Sequence, residues 1–148
     1  MKLSPKRLKN GVYPKKMLDF GEVYSQFIAN LPKNTGSATS FLGVARLESA
    51  DGKRKIKRLY MESYEDHANP IFDKICGEIK RKYNLTDIQI VHAVGNFRPG
   101  EAVVLVLVAS PRRAQAYKAL EEAVERYKKE PALFKKEVYA DSTSAWIH

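Results

Sequence analysis

Residues 103–109 read Val-Val-Leu-Val-Leu-Val-Ala, an apolar run with no polar member. A strand that meets water on one face alternates apolar and polar residues, so an unbroken run of this kind must be covered on both faces. The run is too short for an ordinary helix, and it is rich in β-branched valine, which favours a strand. It is therefore read as the central strand of a sheet, and its flanks are consistent with that. The loop Gly95-Asn-Phe-Arg-Pro-Gly100 joins it to a second strand over 87–94, DIQIVHAV. After it, Ser110-Pro111 opens a helix in which Ala116, Ala119, Leu120, Ala123, Val124 and Tyr127 recur at helical spacing. Pro131 closes that helix, because proline inside a helix removes a hydrogen bond and clashes with the preceding turn.

Further out, Asp19 caps a helix with Glu22 as its capping-box partner, and Phe20, Val23, Tyr24, Phe27, Ile28 and Leu31 form the apolar face. Residues 37–46, SATSFLGVAR, read as a strand with Gly43 inside it, which marks a bulge or a close backbone approach. Asp51-Gly52 signals a turn, and Ile56 to Tyr64 is read as the strand returning from it. Asn69-Pro70 is read as the start of the next helix, with Asn as cap and Pro in first position. Ile71, Phe72, Ile75, Cys76, Ile79 and Tyr83 give its buried stripe. Phe134 to Tyr139 is a last strand, with Lys135, Glu137 and Tyr139 on one face. The order α-β-β-α-β-β-α-β intersperses helices with strand pairs and predicts an α+β fold in a single domain. Residues 1–17 read as a basic N-terminal arm with a short edge strand at 11–13, and 18–148 as the domain proper.

The 148 residues are 44% hydrophobic and 29% charged, enough for one core. There is no apolar run of about 18 residues to span a membrane. The N-terminal segment lacks the apolar stretch of a secretory signal. One cysteine leaves no internal disulfide framework, which fits a reducing cytoplasm. His67, His92 and His148 show no metal-ligand spacing, so neither a metal nor a cofactor is expected. The net charge of +9 predicts an anionic partner: nucleic acid, a phosphorylated small molecule or an acidic protein. A nucleic-acid-binding α+β module is one reading of that charge. Against it, the aromatics fall mostly at core periodicity, and no RNA-recognition segment is present.

Cys76 lies on the apolar face of its helix and reads as a small core hydrophobe. His92, within a strand, reads as a core histidine. Arg112 and Arg113 sit at a helix N-terminus, where cations are unfavourable for the helix but useful for a bound phosphate. The residues alone fit side chains turned to solvent equally well. Lys128 sits near a helix C-terminus, which the dipole explains. Lys135 and Lys136 on the next strand are not so explained. Two converging lysines would hold an anionic tail and move a proton, while a solvated basic patch accounts for the same composition.

Several segments together resemble the large, catalytic subunit of molybdopterin synthase. They are FLGVAR (41–46), MESYEDHA (61–68), HAVGNFRPGE (92–101), VASPRRAQAY (108–117) and YKKEPALFKKE (127–137), with Trp146 near the end. The resemblance implies an α/β-hammerhead-type fold with additional antiparallel strands. It implies a sulfurtransferase of molybdenum cofactor biosynthesis that converts precursor Z, a cyclic pyranopterin monophosphate, to molybdopterin. Sulfur would arrive as the C-terminal thiocarboxylate of a small ubiquitin-like partner subunit. The assembly would be a homodimer within a heterotetramer, with no nucleic acid and no membrane. Lys128 and Lys135 match the family's catalytic lysines. Val44, Ala45, Arg46, Arg112, Arg113, Lys136 and Glu137 match its substrate-binding segments, with Glu137 orienting a lysine or arginine. Arg112 stands where the family often has histidine, and arginine stays protonated and shuttles protons poorly. Ala93 replaces a frequent arginine, and the chain ends sooner after Trp146 than many relatives do.

Overall fold

The computed structural model describes residues 7–147. Its elements are β1 (Gly11–Pro14), a 3₁₀ turn (Lys15–Met17), α1 (Phe20–Ala29), β2 (Ser37–Val44), β3 (Ile56–Ser63), α2 (Glu65–Tyr83), β4 (Asp87–Phe97), β5 (Ala102–Ser110), α3 (Arg113–Lys129), β6 (Leu133–Tyr139) and β7 (Ser144–Ile147). The strands form one sheet in the order β2-β5-β4-β3-β6-β7, and β1 pairs with β4. Every pairing is antiparallel except β1 with β4. The fold is α+β in a single domain.

Both faces of β5 are covered. Val104, Val106 and Val108 point to one side, where they join Ile88 and Ile90 under Phe72, Ile75 and Ile79 of α2 and Ala116, Ala119 and Ala123 of α3. Leu105, Leu107 and Ala109 point to the other, against Val23 and Phe27 of α1. Each large apolar side chain buried completely contributes about 1.5–3 kcal/mol. A third, smaller cluster of Ala45, Met61, Ala93, Phe97 and Val103 lies where the sheet passes from β4 to β3.

Local signals explain most element ends. The Asp19 carboxylate accepts the Glu22 N–H at 3.1 Å and caps α1. Asn84 takes the left-handed conformation that ends α2. Gly43 sits at a bulge, and a Cβ there would lie 2.4 Å from Val104 Cγ1, so the close approach is real.

Three expectations are corrected. The Asp51-Gly52 turn forms, with Gly52 at φ +71° and an isolated bridge between Glu48 and Lys55. It does not join a hairpin, however: β2 pairs with β5, whereas β3 pairs with β4 and β6. A tight turn commits only the residues beside it, and β5 needs a neighbour on each edge. The second helix begins at Glu65, not at Asn69-Pro70, so Pro70 lies inside it. The Tyr64 carbonyl accepts from His67 and Ala68 and starts the helix there, and Pro70 lacks the N–H that would have bonded to Asp66. Asn69 is no cap; its Oδ1 accepts the Val12 N–H at 2.9 Å and ties β1 to α2. Finally, β7 was not foreseen. It is short and mostly exposed, with no apolar alternation to betray it.

Of the basic N-terminal arm, residues 1–6 lie outside the described residues. Arg7 pairs with Asp87 and donates to the Ile88 carbonyl, and β1 runs parallel to Val91–Val94.

His92 is buried on β4, and its Nδ1 lies 2.8 Å from the Ala93 carbonyl, to which it donates. Burial holds its pKa down at about 4, against an ordinary 6.5, with Lys135 adding to the effect. Between those values the unfolded chain binds a proton that the folded chain refuses. Stability is therefore lost as pH falls from 6.5 toward 4, by up to about 3 kcal/mol. Urea unfolding at stepped pH should show this slope in the wild type and a flatter one in His92→Phe. In the same assay at neutral pH, Gly43→Ala should cost about 1–3 kcal/mol through overpacking. Gly77→Ala should gain about 0.5–1 kcal/mol, since the nearest atom to its new Cβ is a flexible Arg81 nitrogen at 3.5 Å.

Candidate active site

The C-terminal end of α3, the Gly43 bulge of β2 and the inner faces of β3 and β6 surround a cavity of about 310 Å³. Pro131 makes it possible. The helix stops at Lys129, and the Ser63 hydroxyl fixes the turn by donating to the Ala132 carbonyl at 2.8 Å. The chain then returns as β6 alongside β3. Lys128, in the last turn of α3, and Lys135, on β6, thereby line the same space.

Val44, Ala45, Arg46 and Glu137 line it too. The bulge at Gly43/Val44 turns the end of β2 toward the cavity, and Ala45 is anchored by its N–H to the Glu101 carbonyl at 2.9 Å. Period-two alternation puts Glu137 on the same side of β6 as Lys135. Glu137 is 3% exposed, and the Tyr139 hydroxyl donates to its Oε1 at 2.9 Å. The Arg54 guanidinium stacks over the Tyr139 ring at 4.7 Å and closes this side.

The charges do not cancel. Arg46, Lys128 and Lys135 face one carboxylate, Glu137, an excess of two positive charges. Among the described residues none of the four is in an ion pair. Lys128 is exposed at the mouth, its Nζ 5.9 Å from the centre of the Phe41 ring. Lys135 is half-buried. Burial lowers its pKa, the nearby Lys128 and Arg46 lower it further, and Glu137 opposes them. The site is thus an anion pocket with one lysine whose proton is loosened.

Other expected site residues lie elsewhere. Lys136 points to the opposite face of β6, with Nζ 5.4 Å from the Trp146 ring and 6.0 Å from the Tyr60 ring. Arg112 and Arg113 are exposed at the start of α3. At 1.5 Å per residue they stand about 24 Å along the helix from Lys128. Cys76 is buried, and burial pushes its thiol up to about 12, so it is no nucleophile. The aromatics depart from expectation in one place: Tyr60 and Trp146 pair beside Lys136, and Tyr64 pairs with Phe134, outside the core clusters.

His92, Phe41, Met61 and Tyr127 also line the cavity and were not singled out as site residues. Their signal was masked, since each sits at a core-like position in its own strand or helix. Among the described residues no helix is long and apolar enough to cross a membrane, and no cluster of His, Cys, Asp or Glu has metal-site geometry.

Comparison with known proteins shows the family of the chain. The family model described as MoaE protein matches residues 14–130. The molybdopterin synthase catalytic subunit of Bacillus subtilis is 38% identical over 115 residues, covering 78% of this chain and 71% of that one. The rat subunit of the same name is 32% identical over 131 residues, covering 88% of this chain and 63% of its own length. The crystal structure of molybdopterin synthase from Staphylococcus aureus superposes with a TM-score of 0.83 at 26% identity, covering 97% of this chain and 99% of that one. A Helicobacter pylori structure, a protein–protein complex of subunits 1 and 2 of molybdopterin-converting factor, shares the fold with a TM-score of 0.67 at 19% identity. The matched segment takes in β2, β4, β5 and α3 with Lys128, and on this evidence the chain belongs to the MoaE family of molybdopterin synthase catalytic subunits.

Proposed function

We propose that this chain converts precursor Z to molybdopterin, taking sulfur from the C-terminal thiocarboxylate of a small ubiquitin-like carrier. The observation that carries the reading is the convergence of Lys128, Lys135 and Arg46 on one cavity, with no carboxylate among the described residues in an ion pair with any of them. Both ligands are anionic, one a cyclic phosphate and the other a thiocarboxylate tail, so a pocket with surplus positive charge suits both.

Lys128, charged and at the mouth, meets the incoming tail. Lys135, deeper and drier, donates or accepts the proton as sulfur adds to the pterin side chain and the cyclic phosphate opens; water then cleaves the carrier's acyl C–S bond and leaves a C-terminal carboxylate on the carrier. A lysine is useful for this only if its pKa is brought toward the working pH, which burial and the two neighbouring cations do. Arg46 binds phosphate, and Val44 and Ala45 shape the wall beside it. Glu137 limits how far the lysine pKa falls.

The Helicobacter pylori complex of two subunits supports a small partner for this chain. The distance of Arg112 and Arg113 from Lys128 supports a homodimer, in which these arginines serve the cavity of the second copy. With a carrier on each copy the assembly is a heterotetramer, acting in the cytoplasm. Lys136 contributes from outside the cavity, through the sheet face it shares with Tyr60 and Trp146.

Purified chain, thiocarboxylated carrier and precursor Z should yield molybdopterin; no product with a competent carrier would overturn the reading. Lys128→Ala and Lys135→Ala should each lower turnover by about 100-fold or more while each variant still unfolds in one cooperative transition. Lys135→Arg should not restore it, because arginine does not release its proton. Arg46→Ala removes a neighbouring cation, so the Lys135 pKa should rise and the pH–rate limb it controls should move to higher pH. Lys135 also carries a stability signature. Its folded pKa lies below the unfolded value, so stability rises with pH between the two. Lys135→Met should flatten that rise and unfold at higher temperature than wild type at neutral pH.

A further inference from the structure

Most of the cavity's polar groups are donors: the guanidinium of Arg46 and the ammonium groups of Lys128 and Lys135. Such a lining holds a phosphate or a thiocarboxylate but says nothing to a ring that carries N–H groups of its own. Beside the Tyr127 hydroxyl, which can donate or accept, two side chains offer acceptors. One is Glu137, whose Oε1 already takes the Tyr139 hydroxyl. The other is His92.

The His92 ring is fixed from two sides. Its Nδ1–H is committed to the Ala93 carbonyl at 2.8 Å. Its plane packs edge-on against Tyr127, with the ring centres 5.8 Å apart. That hydrogen bond sets the tautomer, so Nε2 carries a lone pair and no proton. Burial keeps the ring neutral at physiological pH. The residue is 1% exposed yet lines the cavity, and among the described residues the one hydrogen bond its ring makes is that of Nδ1. An acceptor held rigid and neutral beside three donors is placed to receive a donor group of a ligand in the cavity.

We propose that His92 is a substrate-binding residue, its Nε2 accepting a hydrogen bond from a ring N–H of the bound cyclic pterin. The inference rests on the reading of the site given above. It adds an orientation: the phosphate turns toward Arg46 and the lysines, and an N–H edge of the reduced ring turns toward His92. Position along β4 gives the physical reason this residue is available. Ile88, Ile90 and His92 share one face, and the first two are capped by α2 and α3, while α3 ends just where His92 would be covered.

The test is binding of cyclic pyranopterin monophosphate to the intact chain with its carrier, followed by calorimetry and by turnover. His92→Phe keeps a flat ring and removes the acceptor, so it should weaken binding about tenfold, with KM raised more than kcat is lowered. His92→Gln places an amide oxygen near the Nε2 position and should restore most of the affinity. As a check free of mutation, the Nε2 nitrogen resonance of the wild type should shift on adding the pterin, while the Nδ1 resonance stays. Unchanged affinity in His92→Phe would overturn the proposal. So would a glutamine variant as weak as the phenylalanine one, or an Nε2 signal indifferent to ligand. If the wild type itself neither binds nor turns over the pterin, the functional reading fails first. Wild-type turnover with an indifferent His92 would remove only this inference.

Discussion

The burial of β5 on both faces is the constraint from which the rest of the structure follows. A strand with no polar position needs a covering layer on each side and a paired neighbour on each edge. Helices α2 and α3 cover one side, α1 covers the other, and β2 and β4 take the edges. That arrangement brings the C-terminal end of α3 against the bulged end of β2. The cavity opens there because the helix stops one turn short of covering the sheet. Gly43 keeps the bulged end of β2 close to β5, since a side chain there would collide with Val104.

The chemistry depends on the same ending. A lysine on an open surface is an ordinary solvated cation. Lys135 differs because β6 carries it back under the end of α3, where it loses water and meets Lys128 and Arg46. Its neighbour Lys136 has the same chemistry and a different fate. One residue along the strand, it faces outward and rests between Tyr60 and Trp146. The pleat of the strand therefore separates a lysine suited to proton transfer from one suited to an aromatic surface.

Much of this was legible in the residues. The central strand, the Asp19 cap, the Gly43 close approach, the three helices and the inward face of Lys135, Glu137 and Tyr139 were read from periodicity and local chemistry. Of the positions that the family resemblance supplies, Lys128, Lys135, Arg46, Val44, Ala45 and Glu137 surround one cavity, whereas Arg112, Arg113 and Lys136 lie outside it. The misses share a cause. The Asp51-Gly52 turn was taken to imply a hairpin, and Asn69-Pro70 to imply a helix start. Both are strong local signals overruled by longer-range packing: β2 is drawn to β5, and Asn69 is drawn to the backbone of β1. His92 was read as core, which its burial supports, but a core position at the end of a helix is also a cavity wall.

By itself, the sequence determined the kinds of element, their order, and the apolar stripes that bury them, because these depend on periodicities of a few residues. It also determined the net charge of +9. Only the tertiary structure decided which strands became neighbours, since pairing is settled by competition among all the strands for the edges of β5 and β4. It alone decided that Lys128 and Lys135 meet while Arg112 and Arg113 stand at the far end of the same helix. It alone decided how dry each lysine is, because desolvation is a property of what the whole chain packs around a group and not of the group's neighbours in sequence.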